Sequence, residues 1–273
     1  MEKILFITDA MAINPQALDF AMFLCNLTHS KLTGIFLENL EYEGRPLTML
    51  QAEANSPANS IDDIKSNCCE EGIQQFRTAC ASRGIPAVVH RDRGLPMDEI
   101  IRESKYADLL LVDAALSFAS QPEPIPTRFV RDILTDAACP VIITPVGFEG
   151  IEQIIFAYDG HPSSMLAMKQ FTHLFPQLSQ QPVNVITVNS EHRISAGEKN
   201  RLKEWLLDHY NNIVFTEREG VIKTELLEYV LNKKNAFLVM GSYGRSTISN
   251  MLKSSHATPI IRMTNQPVFI SHS

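Results

Sequence analysis

Asp159, Gly241, Gly244, Ser254 and Ser255 are the residues of this chain best suited to chemistry, and that chemistry is the holding of an anion. Glycines let backbone N–H groups turn toward an anion with no Cβ in the way. Serine hydroxyls add donors, and Arg245 can pair with a phosphate oxygen. No acidic residue stands between Gly241 and Ala257, where one would repel phosphate. A serine pair at a helix start adds unpaired N–H groups and a partial positive charge. Asp159 suits the other end of a nucleotide, as an acceptor for a base amine or a ribose hydroxyl. The same stretch also reads as an ordinary strand–loop–helix corner in which the serines are helix caps. It is neither a G-x-x-x-x-G-K-[ST] loop nor a G-x-G-x-x-G fingerprint.

Such residues need elements to position them, and the chain alternates strands with helices. "KILFITDA" is a β-rich run, and Ala17, Phe20, Ala21 and Leu24 then recur at helical spacing. Asn14-Pro15 before them supplies a side-chain cap and a proline at the first helical position. "KLTGIFLEN", "PAVVHRD", "ADLLLVDA" and "CPVIITPV" are further strands, with helices expected over 61–83, 95–105 and 127–138. The order then repeats from "EQIIFAYDG" through "PVNVITVN", "NIVFTE" and "AFLVMG" to "QPVFISH". Helices are expected over 163–175, around Leu202, Trp205 and Leu206, over 221–233 and within 241–264. Such alternation implies right-handed crossovers and a parallel sheet covered on both faces.

An ungapped offset of 127 residues brings Leu111-Val112 onto Leu238-Val239 and Pro140-Val141 onto Pro267-Val268. The expected architecture is therefore α/β: two tandem open-sheet domains, residues 1–147 and 148–273, each with a mostly parallel five-stranded sheet flanked by helices. Ligands of such sheets sit outside the carboxyl ends of the strands, where the strand order reverses. Under the same offset Gly241 falls on Ala114, Gly244 on Ser117, Ser254 on Thr127 and Met240 on Asp113. The first half thus loses both loop glycines and gains a carboxylate, with Glu123 in the "QPEPIP" that follows. It is expected to be a non-binding partner of the second.

The stretch G-x-x-G, nine residues, then Ser254-Ser255, resembles the ATP-binding signature of the universal stress protein family. The "D-G" after a first strand and the closing "PVFIS" strand are also similar to that family, over the whole chain as two tandem copies. The resemblance implies an adenine-nucleotide-binding fold and a non-catalytic stress-response or regulatory role. It implies Asp159 as the adenine contact and the Val188 backbone beside the base. Met240 and Gly241 would lie along the ribose and phosphates, and Gly244, Ser254, Ser255 and the His256 backbone would hold the phosphate chain. Members pair through their last strands, which a tandem chain can do internally as a pseudo-dimer, with or without a further homodimer. Ser254 departs from the family glycine, and a serine there does not accept a positive φ as glycine does. The alternatives left open are a nucleotide-free interaction module and a slow ATPase.

Composition narrows the partners. The chain has 273 residues, a net charge of −7 and no Lys/Arg run, so nucleic acid is not expected. No apolar run approaches a membrane span and the first residues read as a strand, so no membrane and a cytoplasmic location are expected. Five cysteines, at 25, 68, 69, 80 and 139, lack metal spacing and are expected as reduced thiols inside helices. H-E-x-x-H, G-x-S-x-G and paired-carboxylate signatures are absent, so no catalytic residue is assigned.

Overall fold

The computed structural model describes residues 1–37, 61–92, 95–119, 121–189, 194–241 and 257–271. Segment 40–60 and the site residues Gly244, Ser254, Ser255 and His256 lie outside the described residues. The chain divides into two units, Met1–Ala137 and Ala138–Ser273.

The first unit runs β1 (Lys3–Asp9), α1 (Pro15–Thr28), β2 (Lys31–Leu37), α2 (Ile61–Ser82), β3 (Ala87–Asp92), α3 (Pro96–Ser104), β4 (Leu109–Val112) and α4 (Arg128–Asp136). Its strands lie in the order β3-β2-β1-β4, all parallel. The second unit runs β5 (Val141–Ile143), β6 (Gln153–Ala157), α5 (Pro162–Leu174), a 3-10 turn (Pro176–Leu178), β7 (Val183–Asn189), α6 (Ala196–Leu207), β8 (Ile213–Glu219), α7 (Ile222–Leu231), β9 (Ala236–Gly241), α8 (Ala257–Met263) and β10 (Val268–Ser271). Its order is β5-β10-β9-β6-β7-β8, parallel except that β5 runs antiparallel to β10, with Ile142 opposite Phe269. Among the described residues each half supplies five strands, yet the fifth strand of the first half packs into the second unit.

The local signals act as physics requires. Asn14 Oδ1 accepts from the N–H groups of Gln16 and Ala17, and Pro15 opens α1. The central strands β4 and β9 are buried on both faces, as continuous apolar runs in parallel sheets must be. Edge strand β8 is half exposed, with Val214 and Phe215 at the surface. The 127-residue offset holds in three dimensions: it carries β4 onto β9, α4 onto α8 and β5 onto β10. In the second core Phe171 of α5 touches the rings of Phe156, Phe237 and Phe269, which rise from β6, β9 and β10. Trp205 is half-buried against the His209 ring, not within the core. Cys139 lies between α4 and β5, outside any helix. Burial pushes the Cys25 thiol up to about 12 and that of Cys80 to about 11, so both stay protonated. Among the described residues no helix is long and apolar enough to cross a membrane.

One charged cluster ties the first unit together. Glu103 of α3 meets Lys3 Nζ at 2.8 Å and His90 Nδ1 at 2.9 Å. Burial raises the Glu103 carboxyl, but the hydrogen bond and charge of Lys3, with those of His90, outweigh it and hold the group below its ordinary 4.5. A carboxyl lowered by folding stabilises the fold above its unfolded pKa, and that stability is lost as pH falls through the folded value. E103Q is therefore expected to cost about 1 kcal/mol at pH 7, the scale of one such hydrogen bond. Wild type and E103Q should converge as urea titrations are moved from pH 7 to below 4.

Candidate functional site

The second unit's chain proceeds from β6 outward through β7 to β8, then returns to the other side of β6 to lay down β9 and β10. The strand order therefore reverses between β6 and β9, and the carboxyl ends of strands at such a reversal are where open α/β sheets bind ligands. Met240 stands opposite Ala157 in that ladder, so Met240 and Gly241 end β9 beside Tyr158 and Asp159. On the other flank Ile186 of β7 stands opposite Ala157, which brings Val188 level with Asp159. Asp159, Val188, Met240 and Gly241 thus converge on one edge of three adjacent strands. Gly244, Ser254, Ser255 and His256 belong to 242–256, outside the described residues.

Val188 carries the most informative geometry. In a parallel ladder both peptide groups of one residue point to the same side, and the side alternates along the strand. The Ile186 carbonyl accepts from Tyr158 N at 3.0 Å, so the N–H and C=O of Val188 point to the β6 side too. Strand β6 has ended by then, and among the described residues no backbone group takes up either one. A donor and an acceptor from one residue therefore stand beside the exposed carboxylate of Asp159. Backbone groups at such a level are paired, with protein, water or a ligand.

Asp159 also organises the turn. Its Oδ1 accepts from His161 N at 2.9 Å, and the Ser164 hydroxyl lies 2.7 Å away. That hydroxyl is also 2.8 Å from the His161 carbonyl, so its single proton serves one acceptor at a time. His161 makes no side-chain cap, and Pro162 opens α5. Burial raises the Tyr158 phenol above its ordinary 10, and the charges of Glu198 and Asp159 add to it, so the ring stays neutral beside the carboxylate. Tyr158 and Ser164 escape a reading by motif. Their signal was their place in "YDGHPSS", flanking Asp159.

Gly241 has a reason the motif did not reveal. A Cβ there would lie 2.5 Å from Ser164 N, 2.6 Å from Ser163 C and 2.7 Å from Ser163 O. These are backbone atoms of the first turn of α5, so the glycine lets the helix pack on the strand end.

The first unit builds the same corner differently. Its order reverses between β1 and β4, and there a cavity of about 190 Å³ is lined by Thr8, Asp9, Asn14, Asp113, Leu116 and Ser117, among others. Asp9 Oδ1 accepts from Met11 N at 2.8 Å, and Asp113 Oδ1 from Ala115 N at 2.8 Å. Asn14 Nδ2 donates to Asp113 Oδ2 across the reversal. Among the described residues no group of three or more His, Cys, Asp or Glu could hold a metal ion.

Known proteins share this architecture. No family model matches the chain. A universal stress protein of Synechocystis sp. (strain ATCC 27184 / PCC 6803 / Kazusa) is 25% identical over 136 residues, which cover 47% of this chain and 45% of that protein, so less than half of the relative's length is spanned. Among solved structures, a universal stress protein from Archaeoglobus fulgidus DSM 4304 superposes with a TM-score of 0.70 at 16% identity, over 99% of this chain and 96% of the other. A putative universal stress protein from Pseudomonas aeruginosa UCBPP-PA14 gives 0.66 at 12% identity, over 100% and 93%. The Synechocystis protein shares sequence with about half of this chain, and the chain has, from end to end, the fold of the solved universal stress proteins.

Proposed function

We propose that the second unit binds an adenine nucleotide, ATP in the first instance, at the reversal between β6 and β9, and that the protein serves stress physiology as a regulatory binding module without catalysis. The observation that carries this reading is the peptide pair of Val188, which no backbone group among the described residues takes up, beside the exposed Asp159. Adenine presents an acceptor, N1, next to a donor, the exocyclic amine. The Val188 N–H and C=O complement that pair, and Asp159 accepts from a further donor of the base or ribose. Met240 supplies an apolar wall. The phosphates would then extend toward Gly244, Ser254, Ser255 and His256. The antiparallel pairing of β5 with β10 is, in this reading, an internal counterpart of the last-strand pairing of two subunits.

Calorimetry of the full chain with ATP tests the reading. One site per chain is expected, with GTP weaker by 10-fold or more, since guanine offers the opposite donor–acceptor order. Asp159→Ala should weaken ATP at least 10-fold, the scale of one hydrogen bond to a charged group. Gly244→Val should abolish binding. No heat at millimolar ATP would sink the proposal and leave an interaction module. Phosphate release above background that depends on Asp159 would instead make the protein a slow ATPase.

A further inference from the structure

The first unit's loop between β4 and α4 is folded onto itself around one carboxylate. Thr127 N donates to the Ala114 carbonyl at 3.2 Å, and the Thr127 hydroxyl donates to the Leu116 carbonyl while accepting from Val130 N. Glu123, half-buried in this loop, uses both of its oxygens. Oε1 accepts from the N–H of Arg128, the first residue of α4, at 3.3 Å, and Oε2 accepts from the Ser117 hydroxyl. Ser117 Oγ in turn accepts from Ala119 N at 3.1 Å. A helix-start N–H and a serine hydroxyl are the donor types that hold an oxyanion. Here they hold one that the chain carries itself. The corresponding stretch of the second unit, Gly241 to Ala257, contains no acidic residue at all. The repeat was therefore built once with an anion in its own loop and once without.

We propose that Glu123 is a built-in anion that closes the first unit's corner against phosphate: its carboxylate occupies the Arg128 amide and the Ser117 hydroxyl, and so ties Ser117 to the start of α4. The contact makes the first unit indifferent to anions, whereas the sequence of the second corner, Gly241 to Ala257, offers no carboxylate of its own. It does not depend on whether the second unit binds ATP.

Thermal unfolding of the full chain tests the lock, with inorganic phosphate as the probe and chloride at matched ionic strength as the control. E123A is expected to unfold about 3 °C below wild type in chloride, the shift expected of one lost charged hydrogen-bond set. Phosphate in place of chloride should recover at least half of that loss in E123A, because an anion that binds only the folded state stabilises it. Wild type should gain less than E123A does. E123Q, which keeps an acceptor oxygen without the charge, should fall between them and recover less. Two results would overturn the proposal: E123A as stable as wild type, or E123A destabilised but no more responsive to phosphate than wild type. Both read the same whether or not wild type shows heat with ATP, so failure here is separable from failure of the proposed nucleotide site.

Discussion

Gly241→Ala is expected to destabilise the second unit by about 3 kcal/mol, the upper end of the usual cost of overpacking. A single methyl at this position meets the main chain of Ser163 and Ser164 at 2.5–2.7 Å, well inside van der Waals contact. No rotamer change relieves it, because the neighbours are peptide atoms in the first turn of α5. The helix must move off the strand end, carrying Ser164 away from Asp159. We expect the urea midpoint to fall with m unchanged, and the melting temperature to drop by about 8 °C. Under the proposed function, ATP affinity should fall in parallel through the displaced helix. The mirror substitution, Ala114→Gly at the equivalent place in the first unit, should cost no more than about 1 kcal/mol, the ordinary entropic cost of glycine. A G241A protein as stable as wild type would show that α5 does not start against β9. The comparison also decides how glycine mutants are read: loss of binding at 241 would report helix packing, and of the two glycines Gly244 is the one that would test the proposed phosphate contact.

Phe171→Ala should be costlier still, about 4 kcal/mol, within the range for removing a fully buried ring. Phe171 is fully buried, and its centroid lies 4.9 Å from that of Phe237, 5.0 Å from Phe175, 5.5 Å from Phe269 and 5.8 Å from Phe156. Most of these pairs are edge-on, which adds to the area term. The ring bolts α5 to three strands at once, among them both strands that flank the reversal. Its loss should therefore loosen the start of α5, about two and a half turns away, and, under the proposed function, weaken ATP at a distance. F171L, which keeps most of the volume, should lose less than half as much. Equilibrium urea unfolding of the three proteins measures this, and an F171A loss under 1 kcal/mol would refute the role given to the ring.

Much of the framework was legible because it rests on local or periodic signals. Asn14-Pro15 announced α1, continuous apolar runs announced β4 and β9, and the 127-residue offset located β4, α4 and β5 against β9, α8 and β10. Asp159 was legible as a carboxylate at a strand end, though β6 stops two residues earlier and the side chain also holds the turn. Other features left no such trace. Val188 contributes peptide groups, which every residue owns, so only resemblance singled it out. The allegiance of β5 to the second unit depends on its pairing with β10, a contact made far along the chain. Glu123 was visible as a charge in a proline-rich loop, but its grip on Arg128 and Ser117 is tertiary.

The turn after the first strand differs between the halves: Asp9 to Pro15 is three residues longer than Asp159 to Pro162. In the second half the first turn of α5 packs directly on the end of β9, while in the first half Asn14 bridges to Asp113 beside a cavity. A loop graft would feel this difference. Transplanting Met240–Ser255 in place of Asp113–Arg128 would carry over the glycines but not the helix against which Gly241 is fitted. To convert the first half, an engineer would have to shorten the turn at residues 10–13 as well, so that two segments distant in sequence change together.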